Sequence, residues 1–280
     1  MNPTTPTTTV APTAAPCSNA VNAVSAVILA AGRGERMRPL TDATPKPLLT
    51  VHGQPLLRWH VEALANAGFT QLHINTAWLG EQIPSYFGPQ PSSLLGVPLQ
   101  ISYSHEGVDF GGALETAGGI ARLLPALSEV FWVLAGDVYV PGFVFKPDTV
   151  ADFAQSKHLA HLFLVPNPAH NLKGDFGLGP ADEGAQACLN VPPDHPGPRY
   201  TYSTIGLYKR ALFEAPWCDI PAGNPQGIQA ALAPLLRRAM DAGLVSAELY
   251  SGAWTDVGTP ERLAQLNASP LVTAQSAEKR

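Results

Sequence analysis

Three arginines and a lysine, Arg33, Arg36, Arg38 and Lys46, crowd one segment, VILAAGRGERMRPLTDATPKPL (residues 27–48), of a chain whose net charge is −5. Gly32 and Gly34 interrupt the segment where its apolar start ends. Glycine lets backbone approach an anion closely, and free N–H groups at such a turn can bind it. The planar fork of arginine and the point charge of lysine both complement phosphate oxygens. Together the residues suggest a triphosphate site, with Arg36, Arg38 and a Lys46 fixed between two prolines converging on it. The spacing is neither that of a P-loop nor a full GxGxxG, because Met37 stands where the third glycine would be. Singly, each arginine reads as solvated surface charge and a lone Gly-x-Gly as a plain turn.

Two aspartates have comparable placement. Asp137 ends the apolar run VFWVLAGD, and Asp256 follows Trp254 in WTDVGTPERL. A strand-end aspartate also serves as a cap or turn residue, and Asp256 could simply lead into the last helix.

These groups meet only if strand ends converge. Residues 23–31, AVSAVILAA, form a short apolar run closed by glycine, the pattern of a strand buried on both faces. In QPLLRWHVEALANAGF, Leu57, Val61 and Leu64 recur at helical spacing, with Gly68 as C-cap. FTQLHINTA and VPLQISYS read as strands, and a helix starts near Glu115 and runs through GGIARLLPAL. VFWVLAGD, HLAHLFLVPN and RYTYSTIGLYK supply further strands; GIQAALAPLLRRAMDAG and TPERLAQLN read as helices, with Pro234 starting or kinking the first. Residues 191–198 and PWCDIPAGNPQG, near Asn224, read as long surface loops. Alternating strands and helices predict an α/β fold, a mostly parallel sheet covered by helices on both faces. In such sheets ligands sit beyond the carboxyl ends of the strands, where the glycine–arginine loop lies.

Composition agrees. The 280 residues are 45% apolar and 14% charged, enough for one large α/β domain with a real core. The mild acidity gives no support to a general nucleic-acid or membrane-surface role. Cys17, Cys188 and Cys218 are odd in number and lack CxxC spacing, which argues against a disulfide framework or structural zinc and for a reducing cytoplasm. No window has the ~18 consecutive apolar residues of a bilayer span. Residues 1–22, biased to Thr, Pro and Ala, lack the basic start and apolar stretch of a secretory signal and read as a disordered leader. One domain over residues 23–268, a frayed tail over 269–280 and a monomer are expected.

LAAGRGERMRPLTDATPKPL closely resembles the signature of the sugar-phosphate nucleotidyltransferases, L-A-A-G-x-G-x-R-[ML]-x-P-L-T…P-K-P. The resemblance implies a single Rossmann-like nucleotidyltransferase domain with a mixed, mostly parallel sheet. It implies that the loop, Ala31, Gly32, Gly34, Glu35 and Arg36, wraps a nucleoside triphosphate whose charge Arg36 and Lys46 carry as the catalytic cations. It further implies that Asp137, in the Gly-Asp at its strand end, and Asp256, in W-x-D-[VI]-G-T, hold Mg²⁺. That cation takes one or two protein carboxylates plus phosphate oxygens and water. One departure stands out: close relatives have Asn-Gly-Asp where this chain has Ala135-Gly136-Asp137.

INTAWLG, LETAGGI, NPAHNLKGDF and SGAWTDVGTPERL narrow the likeness to the N-acetylmuramate 1-phosphate uridylyltransferases of bacterial cell-wall recycling. The partners implied are UTP and a sugar 1-phosphate, N-acetylmuramic acid α-1-phosphate foremost, with no nucleic acid and no membrane. Asn75, with one donor and one acceptor, and the backbone of Thr116, Ala117 and Gly118 are expected at the uracil. Asn167, Lys173 and Asp175 are expected at the sugar. Asn75 has a plainer reading as a strand-end turn residue, and His170 as a solvated loop residue. Rival readings are glucose-1-phosphate thymidylyl or uridylyl transfer, mannose-1-phosphate guanylyl transfer, and a non-catalytic nucleotide-sugar-binding paralogue.

Overall fold

The computed structural model describes residues 24–182 and 185–271. The expected leader and nearly all of the expected tail lie outside them, as does Cys17. Thirteen strands occur among the described residues. They are β1 (Ser25–Ala30), β2 (Thr50–Val51), β3 (Gln54–Pro55), β4 (Gln71–Thr76), β5 (Gln100–His105), β6 (Val130–Ala135) and β7 (Val138–Tyr139). After these come β8 (Ala160–Val165), β9 (Phe176–Asp182), β10 (Ala185–Leu189), β11 (Arg199–Lys209), β12 (Val245–Leu249) and β13 (Thr255–Asp256). Nine of them build one mixed sheet in the order β5-β4-β1-β6-β11-β8-β12-β10-β9. β1 pairs in parallel with both β4 and β6, so their carboxyl ends open on one edge.

The expected apolar runs become the centre of the sheet because both of their faces are covered. Val27, Phe131 and Val133 pack into one layer with Ile120, Phe213 and Leu236. Ala26, Ile28, Trp132 and Leu134 pack into the other with Leu57, Leu64 and Phe153. The alternating residues of one strand thus feed two cores. Helix α1 (Leu56–Asn66) covers the second layer and ends as expected: Gly68 N donates to Ala65 O, and Phe69 N to Leu64 O. No helix among the described residues is long and apolar enough to cross a membrane.

β11 runs antiparallel between β6 and β8, so the sheet is mixed as expected; which strand departs from the parallel set an apolar run cannot reveal, because direction is not encoded in hydrophobicity. Two expectations need correction. Residues 227–243 are not one helix. Helix α2 (Glu115–Leu123) precedes them, and α3 (Ala233–Asp241) takes only their second half, with Pro234 in its first turn. Before α3 the chain is not helical and lends its Ala230 carbonyl to Ala117 N and Gly118 N, 2.8 and 3.2 Å away. Helix N-terminal N–H groups need such partners. Asn224, expected on a surface loop, is fully buried. Its Nδ2 donates to Gly118 O (3.1 Å) and Ile228 O (2.8 Å), and its Oδ1 accepts from Ile228 N (2.8 Å).

Asn224→Ala should leave Gly118 O and the Ile228 backbone groups without these partners and lower stability by roughly 1–3 kcal/mol. Thermal melts would register this as a fall of several degrees in Tm. An unchanged Tm would show that the loop does not depend on the amide.

Candidate active site

Glycines let two strand ends come close. Gly136 N donates to Leu29 O at 2.8 Å, and a β-carbon at Gly136 would stand 3.1 Å from that oxygen. The loop after β1 turns at Gly34, whose φ of +66° is a left-handed conformation, and lies against Lys46, whose Cβ would be 3.2 Å from a β-carbon at Gly34. Packed there, Lys46 is nearly buried and reaches across to Asp137, Nζ to Oδ2 2.6 Å. Two loops ninety-one residues apart thereby place a cation and an anion at one point.

The remaining cations of the segment divide sharply. Arg33 donates to Thr41 O and Asp42 Oδ1, each at 3.0 Å, and stacks 3.7 Å from the Trp78 ring centroid. Arg38 Nε donates to the same Asp42 oxygen at 2.9 Å. The Arg33 hydrogen bond, with Arg38 behind it, holds the Asp42 carboxyl below its ordinary pKa. Glu35 lies 3.6 Å from Arg33. Arg36 alone of the three arginines makes no hydrogen bond or ion pair with a described residue, and it is exposed. Arg33 and Arg38 therefore brace the loop, and Arg36 is available to an anion.

Asp256 comes near Asp137 through a two-stranded ladder. β13 pairs with β7, opposing Asp256 to Val138, and Val257 N donates to Asp137 O at 3.2 Å. The two carboxylates nevertheless have different partners. Asp256 Oδ2 accepts from Arg262 Nη1 at 2.8 Å and lies 3.3 Å from His170 Nε2. Asp256 faces a cavity of about 310 Å³, whereas Asp137 lines the larger cleft. In each case one oxygen, Oδ1, has no hydrogen bond from a described residue. No cluster of three or more His, Cys, Asp or Glu side chains suited to a metal occurs among the described residues. Asp137, in the turn between β6 and β7, and Asp256, on β13, each keep one hard oxygen of the type Mg²⁺ takes, and that cation is seldom caged by protein alone.

The cleft, about 680 Å³, runs from Ala31, Gly32 and Asn75 past Glu115, Thr116, Ala135 and Asp137 to Asp175, Tyr202, Thr204 and Arg237. Several expected contacts prove to be committed elsewhere. Asn75 is buried, accepting from Ala30 N (2.7 Å) and donating to Glu106 Oε1 (2.9 Å), so its amide is fixed as a strut between the end of β1 and the short helix that follows β5. The N–H groups of Ala117 and Gly118 are taken by Ala230 O, which leaves Thr116 and Glu115 facing the cleft. Asn167 does not line the cleft: its amide donates to Arg199 O and Leu172 O and accepts from Thr201 Oγ1, closing its own loop. An asparagine after a strand end finds local backbone partners first. Lys173 is exposed and also outside the cleft, while Asp175 remains in it, oriented by Tyr202 N at 2.9 Å.

Sequence reasoning missed Tyr202, Thr204 and Arg237. The helical reading of APLLRRAMD contained Arg237, but the period does not say which of two adjacent arginines faces the cleft. Thr204 holds φ +67°, a β-branched residue in the left-handed region, where β11 shifts register against β8. No hydrophobic pattern marks such a position.

The nucleotidyl transferase family profile matches residues 25–271. The N-acetylmuramate alpha-1-phosphate uridylyltransferase of Neisseria meningitidis serogroup B is 45% identical over 251 residues, covering 88% of this chain and 97% of that protein. The UTP–glucose-1-phosphate uridylyltransferase of a Synechocystis species is 30% identical over 248 residues, 84% of this chain and 60% of that one. A solved structure described as a glucose-1-phosphate thymidylyltransferase from Bacillus anthracis superposes with a TM-score of 0.64 at 21% identity. It covers 91% of this chain and 99% of its own, so the fold is shared.

Beneath the cleft, buried His60 donates from Nε2 to Val138 O at 2.9 Å, next to Asp137. Burial pushes its pKa from 6.5 down to about 4, against the raising effect of that hydrogen bond. The unfolded chain takes a proton near pH 6.5 that the folded chain refuses until about pH 4. This contribution is intact above pH 6.5 and should fall by roughly 3 kcal/mol as pH drops through that window. Denaturant melts at pH 7.5 and 4.5 should show a smaller loss for His60→Gln than for the parent protein. Equal losses would clear His60.

Proposed function

The chain belongs to the nucleotidyl transferase family, and on that premise we propose that it transfers a uridylyl group from UTP to N-acetylmuramic acid α-1-phosphate. One observation carries the reaction class. Lys46 meets Asp137 beside the glycine loop at 2.6 Å, with the ladder that bears Asp256 adjoining. The choice of acceptor is supported by 45% identity, over nearly the whole of both chains, to a relative named for that sugar.

A phosphate oxygen of the acceptor attacks the α-phosphorus of UTP, and the bond to the bridging oxygen breaks. Pyrophosphate leaves with the electron pair. The nucleophile is already an anion, so no side-chain nucleophile is required; catalysis is alignment and charge neutralisation. Arg36 and the backbone of Ala31, Gly32 and Gly34 are assigned to the triphosphate. Lys46 places its ammonium where charge grows on the transferring phosphate. Asp137 and Asp256 would hold Mg²⁺, which when bound neutralises phosphate charge. Asp175 faces the acceptor. The apolar Ala135 supplies no amide at the end of β6, so polar contact there falls to Thr204, beside it on the paired strand β11. Buried free thiols at Cys188 and Cys218 suit a reducing cytoplasm.

Supplying UTP with a panel of sugar 1-phosphates and recording pyrophosphate release tests the reading. The muramic acid derivative should have the highest kcat/KM. A preference for glucose 1-phosphate would replace the acceptor, and absence of pyrophosphate with every acceptor would favour a binding paralogue. Asp137→Asn and Asp256→Asn should fold and lose about two orders of magnitude in turnover. Lys46→Ala should lower kcat more than it raises the KM for UTP, since charge develops only in the transition state. A near-normal rate in any of these variants would remove that residue from the centre.

A further inference from the structure

Arg237 is the only arginine or lysine among the residues lining the cleft, whose other charged groups are Glu115, Asp137 and Asp175. We propose that it recognises a carboxylate on the acceptor sugar, the lactyl group of a muramic acid. The proposal rests on the acceptor reading above and assigns the residue that makes the choice.

Position comes first. Ala233, Leu236 and Arg237 all line the cleft, and their i, i+3, i+4 spacing makes them one face of α3. That helix packs against β10 and β12. β12 lies four strands from β1 in the sheet, roughly 19 Å at normal strand spacing. An anion at Arg237 is therefore not the triphosphate at the glycine loop. It belongs to the far part of whatever fills the cleft.

The side chain is held but not neutralised. Arg237 Nη1 donates to Asn190 Oδ1 at 3.0 Å, and Asn190 Nδ2 in turn donates to Asp241 Oδ1 at 2.9 Å. The guanidinium carbon stands 5.7 Å from the Phe176 ring centroid. Arg237 makes no ion pair with a described carboxylate, in contrast to Arg33, Arg38, Arg58, Arg122, Arg210 and Arg262. Arg237 is exposed, lines the cleft and has no other side-chain hydrogen bond to a described residue, and a planar fork held at one corner in this way suits a carboxylate. The first turn of α3 faces the same space and favours negative charge there. Lys173, the cation anticipated from sequence, lies outside the cleft.

The experiment compares kcat/KM for N-acetylmuramic acid α-1-phosphate with that for its lactyl methyl ester, UTP being saturating. Arg237→Met should lower the acid-to-ester ratio by roughly 10- to 100-fold, the loss appearing in the KM for the acid, and Arg237→Lys should restore part of it. Both acceptors are measured on one preparation, so partial unfolding cancels in the ratio. If the parent enzyme prefers the acid and Arg237→Met keeps that preference, the assignment of Arg237 is overturned and the acceptor reading survives. If the parent enzyme takes acid and ester alike, the carboxylate is not read and the assignment of Arg237 is overturned while the acceptor reading survives; if it takes only neutral sugars, the acceptor reading fails and this assignment falls with it.

Discussion

Everything at the mouth of the cleft depends on Lys46 reaching Asp137. The pair forms only because Gly136 lets β6 end against Leu29 and Gly34 lets the first loop settle onto the lysine stem. Lys46 is nearly buried, and removing the partner of a buried charge costs far more than the pair gains over apolar substitutes. Asp137 is more open, with its side chain 38% exposed, so solvent screens the pair and leaves one carboxylate oxygen available. The interaction is thus firm at the lysine and accessible at the aspartate, an arrangement suited to a group that must hold position while other charges arrive.

The same economy governs the amides. Asn75, Asn167 and Asn224 all looked able to meet a ligand or solvent, and each is bound to backbone or a neighbouring side chain. A buried peptide group without a partner is costly, so irregular chain beside a cleft takes up whatever donors and acceptors lie nearest. Among the charged side chains assigned to the proposed reaction, the groups without such partners are few: Arg36, one oxygen each of Asp137 and Asp256, and most of the Arg237 fork.

Much of the fold was legible, for identifiable reasons. Runs such as AVILA and VFWVLA admit little but buried strands, and Gly68 and Pro234 mark helix ends through steric and hydrogen-bonding rules that act locally. The direction of β11 was not legible, nor was the β9–β10 hairpin, because both are decided by pairing between distant segments. Lys46 and Asp137 could be picked out by residue type beside glycine. Arg237 could not, since two consecutive arginines on a helix are equivalent until the sheet beneath fixes which one turns inward.

The ladder between β7 and β13 also sets a clock. In a chain made from its N-terminus, Lys46 and Asp137 are both in place in the sequence once β6 and the turn after it have been synthesised. The strand carrying Asp256 must still be synthesised, and at roughly 5–20 residues per second that interval is on the order of ten seconds. Asn267, the penultimate residue of α4 (Pro260–Ala268), then clamps His52 N and Thr50 O, sewing the late segment to the early hairpin. Asp256 is thus the last of the assigned groups to be made, and the proposed site stays incomplete until synthesis has passed β13.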